Sequence, residues 1–449
     1  LQERHAHHDG VIMKESRGAP GTSMSPDGLL LRYGRTSMAI PGGLFPRTEL
    51  LAARLPGLPR AEPEVVAQRL ARPVGSLPLS RIARRGDRIA IAISDVTRYS
   101  ATDRILPHLL RETDEVGIPR DRVTLFVARG THRAMTDAEL REAIGPEIGS
   151  GVRVEQSHPE EDLVTLGTTP RGTKVDVFRP VMEHDRIVLT GTISFHYFAG
   201  FGGGRKALVP GCGGKETAHQ THFRVFRTDA PGKHPMARSG VLAGNPVHED
   251  IVDAVSLASP AFLVNTLLTP GKRIFDLVAG HWQKAHEEGC ARYANHFRVR
   301  IPRRYPLVIA SAGGFPKDIN LIQSHKALDH AFQATEPGGV LVLLAECPDG
   351  FGSADFFPWF RFRDPDLLER ELRVNYQIYG QTAHAVLTKA RECRVVLVSS
   401  LAGEDVETMG MIPAPTLTEA VGIAKRILGE LPVPLVVPDA GYVLPYASA

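Results

Sequence analysis

Cysteine is scarce in this 449-residue chain. Its four copies, Cys212, Cys290, Cys347 and Cys393, are scattered and form no C-x-x-C pair, so neither a disulfide framework nor a structural zinc site is expected. A reducing, cytoplasmic setting is the default expectation. Net charge is also missing: 53 basic residues face 50 acidic ones, a formal +3, which gives nucleic acid or a membrane surface no electrostatic reason to bind. No uninterrupted apolar run reaches the roughly 18 residues of a membrane span. Residues 1–27 are polar and lack the apolar centre of a secretory signal, so they are expected to be a disordered tail whose His5, His7 and His8 bind metal adventitiously at most. Two nucleotide signatures are absent as well. Ala207 follows Lys206 where a Walker loop needs Ser or Thr, and no G-x-G-x-x-G with a downstream acid occurs.

What remains is an ordinary globular composition, 43% apolar and 23% charged, long enough for two or three domains. Apolar, β-branched runs alternate with helical stretches. Strands are expected at 88–95, 122–128, 152–156, 186–194, 307–312, 340–345, 394–399 and 435–437, and helices at 101–115, 136–144, 282–296, 319–333, 364–373 and 416–428. This pattern predicts an α/β fold with two doubly wound, mostly parallel-sheet domains, and the active site in the cleft between them. The arginine-rich stretch 292–304 suggests the boundary, giving an N-terminal domain over 28–295 and a C-terminal one over 296–449.

Chemistry-bearing residues fall at the expected strand ends, where such sheets bind ligands. Asp95, Thr97 and Arg98 follow the first strand; the arginine can fork onto a carboxylate or phosphate, while Asp95 or Thr97 could equally cap a helix. His132 follows Gly130 in a short turn, a place for a general base or for a plain hydrogen-bonding loop residue. His196 opens H-Y-F-A-G-F-G-G-G-R-K, where Gly202, Gly203 and Gly204 suggest a backbone cradle for an anion beside Lys206. His219 and His222 share a helix and make an incomplete zinc set. Cys212 reads as a small buried thiol. Gln323 and Lys326 lie at i and i+3 on one helix face, and Trp359 either packs or closes over a pocket.

The set D-V-T-R (95–98), G-T-H-R (130–133), H-x-x-x-G-F-G-G-G-R-K (196–206), His222 and Q-S-H-K (323–326) resembles the lactate racemase family in order and spacing. The resemblance implies a racemase or epimerase of a 2-hydroxy acid. Its cofactor would be a nickel-pincer nucleotide, a pyridinium-3,5-bisthiocarboxylic acid mononucleotide with nickel, covalently attached at Lys206. His222 would complete the nickel coordination, and His132 and His196 would be the paired acid/base residues. Arg98, Gln323 and Lys326 would hold the substrate, with Asp95 in the same pocket. Hydride passed to the cofactor and back would avoid a carbanion beside a carboxylate. The implied partners are a small-molecule 2-hydroxy acid and the enzymes of cofactor biosynthesis. Tyr99 stands where relatives often carry proline, and Ile322 where a pocket-lining residue is expected, so the substrate is less defined than the reaction. The only further cations for a dicarboxylate are Arg133 and Arg205, which favours a monocarboxylate. Two other readings remain: an NAD-dependent 2-hydroxy acid dehydrogenase, and a carrier or sensor without turnover.

Overall fold

The computed structural model describes residues 24–25, 28–41, 43–45, 47–55, 57–58, 61–145 and 151–447. The chain divides into two compact units. One comprises Pro56–Asn295; the other joins the residues up to Leu55 to His296–Ala449. Among the described residues, no helix is long and apolar enough to cross a membrane.

The Pro56–Asn295 unit is built on six strands: β1 (Ile89–Ser94), β2 (Val123–Ala128), β3 (Arg153–Gln156), β4 (Arg186–Thr192), β5 (Phe262–Leu268) and β6 (Ile274–Gly280). Their order is β6-β5-β4-β1-β2-β3, and every neighbouring pair is parallel except β5 and β6. Parallel strands covered on both faces read as continuous apolar runs, and β2 (VTLFVA) is buried at every position. Helix α1 (Thr102–Glu115) covers one face through Ile105, Leu106, Leu109, Leu110 and Thr113, a 3.6-residue stripe. Helix α2 (Asp137–Ile144) begins at a reciprocal Thr136–Glu139 cap. From β1 the chain winds outward through β2 and β3, returns to lay β4 beside β1, and winds outward the other way. The strand order therefore reverses between β1 and β4, and the loops leaving these strands flank a natural crevice.

One expectation is corrected. The N-terminal domain does not start at residue 28. Residues 28–55 belong with His296–Ala449, because Glu49–Leu50 pairs in parallel with Leu435–Val437 as an edge strand. Leu31, Ile40 and Phe45 also share a core with Leu307, Ile309, Val340 and Val436. The tail expected over 1–27 falls outside the described residues except for Met24–Ser25, which pairs with Gly28–Leu29. The arginine-rich stretch 292–304, where the division at Asn295 and His296 falls, is regular structure: helix Trp282–Phe297 runs into it, and Arg298–Ile301 pairs with Leu444–Ala447.

The second unit's sheet has the order Ile412–Ala414, Arg394–Val398, Thr335–Leu344, Tyr305–Ser311, Leu435–Val437, Glu49–Leu50, with all neighbours parallel. Helix α3 (Leu321–Phe332) follows the Tyr305–Ser311 strand. Trp359 is buried and packs against Gly380, so of its two readings the packing one applies.

The glycine-rich loop lies against β4. A Cβ on Gly191 of β4 would sit 2.6 Å from the Gly204 nitrogen, and one on Gly204 would sit 3.1 Å from the Thr190 carbonyl carbon. Because the blocking atoms are backbone, Gly191→Ala is expected to lower stability by about 1–3 kcal/mol. Gly422→Ala, in an uncrowded helical position, is expected to be neutral or to stabilise by up to about 1 kcal/mol. Chemical denaturation of both variants checks the contrast; equal effects would contradict the packing argument.

Candidate active site

Since β1, β2 and β4 are adjacent and parallel, the residues that follow them emerge on one edge of the sheet. Asp95 comes directly after β1. Its side chain is buried, and its Oδ2 accepts a hydrogen bond from His132 Nδ1 at 2.6 Å. Its Oδ1 accepts from the Thr97 hydroxyl at 2.7 Å and the Thr97 amide at 3.2 Å. Neither residue caps α1, which starts after Ala101 without a side-chain cap, so the capping alternative is excluded. Burial pushes the Asp95 carboxyl upward, but the hydrogen bond and charge of His132, the Arg98 charge and the Thr97 hydroxyl outweigh it and hold it below the ordinary range. A carboxylate is thus fixed behind His132. Arg98 is exposed, and among the described residues no ion pair engages its guanidinium.

The loop bearing His132 is anchored to the loop bearing Lys206. Gly130, in the left-handed region at φ 55°, donates its amide to the Gly211 carbonyl at 2.7 Å. Gly211 ends the wide helical turn Ala207–Gly211 that Lys206 begins. His196 lies in a two-residue strand, Phe195–His196, paired with Gly200–Phe201. The intervening Phe198 is buried and gathers the rest: the His196 ring is 4.4 Å from it, the His222 ring 5.0 Å, and Lys206 Nζ 5.6 Å above its face. Sequence reasoning passed over Phe198. Its signal was an aromatic residue two places after the singled-out histidine.

His222 sits on helix Lys215–Phe223, as expected, and donates from Nδ1 to the Ala218 carbonyl at 2.6 Å. That bond leaves the lone pair on Nε2. Desolvation, followed by the charge of Lys206, lowers its pKa to about 3. A neutral imidazole with a fixed tautomer is the form a metal takes. Among the described residues, no group of three or more His, Cys, Asp and Glu is arranged to hold a metal ion.

The glycines work differently from the expected cradle. Gly204 donates its amide to Asn265 Oδ1 at 2.7 Å and Gly202 donates to the Ser194 carbonyl at 2.7 Å. A Cβ on Gly203 would meet His286 at 2.9 Å. Two of the three amides are therefore engaged within the protein, and the glycines serve close packing of the loop. Arg205 cannot act as a second substrate cation, because it is fully buried. It donates to the Ala199, Phe201 and Gly202 carbonyls and to His248, and burial draws its pKa down to about 10. Arg133 is engaged by Glu139. Cys212 is buried, its pKa pushed up to about 12 by desolvation, which suits the inert reading. In the other unit, Asn320 caps α3, and Lys326 Nζ donates to Gln323 Oε1 at 2.6 Å, so these two share a face as expected.

Comparison with known proteins agrees with the motif pattern. Residues 45–233 match the family model for the lactate racemase N-terminal domain, and residues 303–444 match that for the lactate racemase C-terminal domain. A lactate racemase of Thermoanaerobacterium thermosaccharolyticum is 32% identical over 389 residues, covering 84% of this chain and 89% of that protein. One from Lactiplantibacillus plantarum is 31% identical over 387 residues, covering 84% and 90%. The solved lactate racemase apoprotein of T. thermosaccharolyticum superposes with a TM-score of 0.82 at 30% identity, over 93% of this chain and 99% of that one. A Thermotoga maritima protein, at 17% identity and a TM-score of 0.64 over 86% and 98%, shares the fold.

Desolvation lowers His222 and His248 to about 3 and His286 well below its ordinary value. In the unfolded chain these groups titrate near 6.5. Stability from keeping them neutral is complete above that pH and is lost as pH falls toward 3, each contributing about 1.4 kcal/mol per pH unit. Unfolding free energy is expected to drop steeply between pH 6.5 and 4, with the His222 ring still neutral by NMR at pH 5. A flat profile, or a His222 titration near 6.5, would contradict the assignment.

Proposed function

Because the chain belongs to the lactate racemase family and is an isomerase of the racemase type, we propose that it inverts the hydroxylated carbon of a 2-hydroxy carboxylate, with lactate the first candidate. The observation that carries this reading is the gathering, on one sheet edge, of a carboxylate-backed histidine, a second histidine, a lysine and a neutral metal-ready histidine.

The residues fit the nickel-pincer nucleotide. His222 offers one neutral Nε2 to nickel, whose remaining ligands would come from the organic group. Lys206, beside it on Phe198, is the amine for covalent attachment. When bound, this group supplies a hydride acceptor, which spares the reaction a carbanion. Everything else is the work of the protein's own side chains. His132 takes the hydroxyl proton at Nε2, since Asp95 holds its Nδ1 and faces the positive charge that forms. Thr97 steadies the other oxygen of Asp95. His196 serves the substrate oxygen of the opposite hand. Arg98 takes the substrate carboxylate, and Gln323 and Lys326 are assigned further polar contacts with the substrate. Gly202, Gly203 and Gly204 place Lys206. The dehydrogenase alternative gains nothing here, as the Gly202 and Gly204 amides are engaged internally.

Co-expression with the cofactor-biosynthesis enzymes is expected to give a mass addition on the Lys206 peptide and about one nickel per chain, with racemisation of single-enantiomer lactate by chiral chromatography. Lys206→Ala should carry no added mass. His132→Ala and His196→Ala should keep the cofactor and lose racemisation. Asp95→Asn should lower turnover roughly 10²–10⁴-fold. Full activity in either histidine variant would remove the two-base assignment, and inert loaded protein would remove the reaction.

A further inference from the structure

The hydrogen bonds at Nδ1 of the two candidate catalytic histidines run in opposite directions. His132 Nδ1 meets the Asp95 carboxylate, an acceptor held ionised by its surroundings, so His132 carries its proton on Nδ1 and its lone pair on Nε2. His196 Nδ1 instead accepts the Ala199 amide at 3.3 Å, so it must carry the lone pair there and, when neutral, the proton on Nε2. The hairpin enforces this. His196 pairs with Gly200 across the three-residue turn Tyr197–Phe198–Ala199, and this tight turn brings the Ala199 amide back to the ring. Ala199 is fully buried, so a proton on His196 Nδ1 would leave its amide facing another donor without water to take over. The ring is also held from both sides: it stacks on Tyr197 at 5.5 Å and 13° and abuts Phe198 edge-on at 4.4 Å.

We infer that the two histidines rest in opposite tautomers and are unequal, His132 offering the substrate a lone pair at Nε2 and His196 an N–H. The inference rests on the functional reading above for what the rings act on, though not for the tautomers themselves. A hydroxyl presented to His132 meets a base ready to accept its proton: the O–H bond breaks, an Nε2–H bond forms, and Asp95 faces the resulting imidazolium. A hydroxyl presented to His196 meets a hydrogen-bond donor. His196 becomes a base only after its proton has moved to Nδ1 and the Ala199 contact has opened. The protein at rest is thus matched to one handedness of substrate, and the reverse direction begins with a tautomer change.

Imidazole ¹⁵N NMR of the cofactor-free protein reads this directly, with His132→Gln and His196→Gln assigning the signals. The expected result is a protonated Nδ1 on His132 and a protonated Nε2 on His196. In Asp95→Asn the new amide can donate to His132 Nδ1, so His132 should switch to the Nε2–H form while His196 stays unchanged. A His196 ring protonated at Nδ1, matching tautomers on the two rings, or a His132 that keeps Nδ1–H in Asp95→Asn would overturn the inference. Its failure is distinguishable from that of the functional reading: opposite tautomers in a protein whose loaded form racemises nothing would uphold the inference and sink the reading.

Discussion

The site depends on one steric constraint: the glycine-rich loop must touch the strand that precedes it. Gly191 lies so close to Gly204 that a side chain on it would collide with backbone, and one on Gly204 would crowd Thr190. This contact folds the chain back after His196, so that the loop's start and end, His196 and Lys206, both reach the ring of Phe198. Arg205 reinforces it from beneath by binding three carbonyls of the same loop. A buried guanidinium is costly unless its donors are satisfied, and here carbonyl oxygens and His248 satisfy them. Because β4, β1 and β2 are parallel neighbours, the Asp95 and His132 loops emerge at the same edge as this loop.

Protonation is then set by local partners. Asp95 stays ionised because the groups around it outweigh its burial, and it fixes His132. His222 stays neutral because burial disfavours its charged form and Lys206 is near, and Ala218 fixes its tautomer. The Ala199 amide fixes His196. Three histidines within one loop cluster thereby have three different partners at Nδ1: a carboxylate, a carbonyl and an amide. That variety suits a site that must accept, donate and ligate in a small volume.

Much of this was legible in the residues. Long apolar runs such as IAIAIS and VTLFVA betrayed their strands because parallel strands bury both faces. The helix at 102–115 showed its stripe, and the motif residues fell at strand ends as the topology rule requires. The hairpin β5–β6 was missed: Asn265 and Thr266 interrupt its apolar pattern, yet they are buried because Asn265 binds the Gly204 amide and Thr266 binds backbone carbonyls. The membership of residues 28–55 in the other unit was invisible, since the two-residue edge strand Glu49–Leu50 has no periodicity to read. The glycines were read for a ligand when their crowding is with protein, and local sequence cannot tell one close neighbour from the other. Likewise Arg205 looked like an available cation, and only tertiary contacts show it to be a brace.

In the proposed reaction hydrogen leaves the hydroxylated carbon as a hydride and returns to the opposite face, with the protein moving only the oxygen-bound proton. Single-enantiomer lactate deuterated at that carbon, incubated with cofactor-loaded protein in ordinary water, tests it most directly. The opposite enantiomer is expected, with deuterium still on carbon. Inversion accompanied by loss of the label to solvent, or no inversion at all, would contradict it.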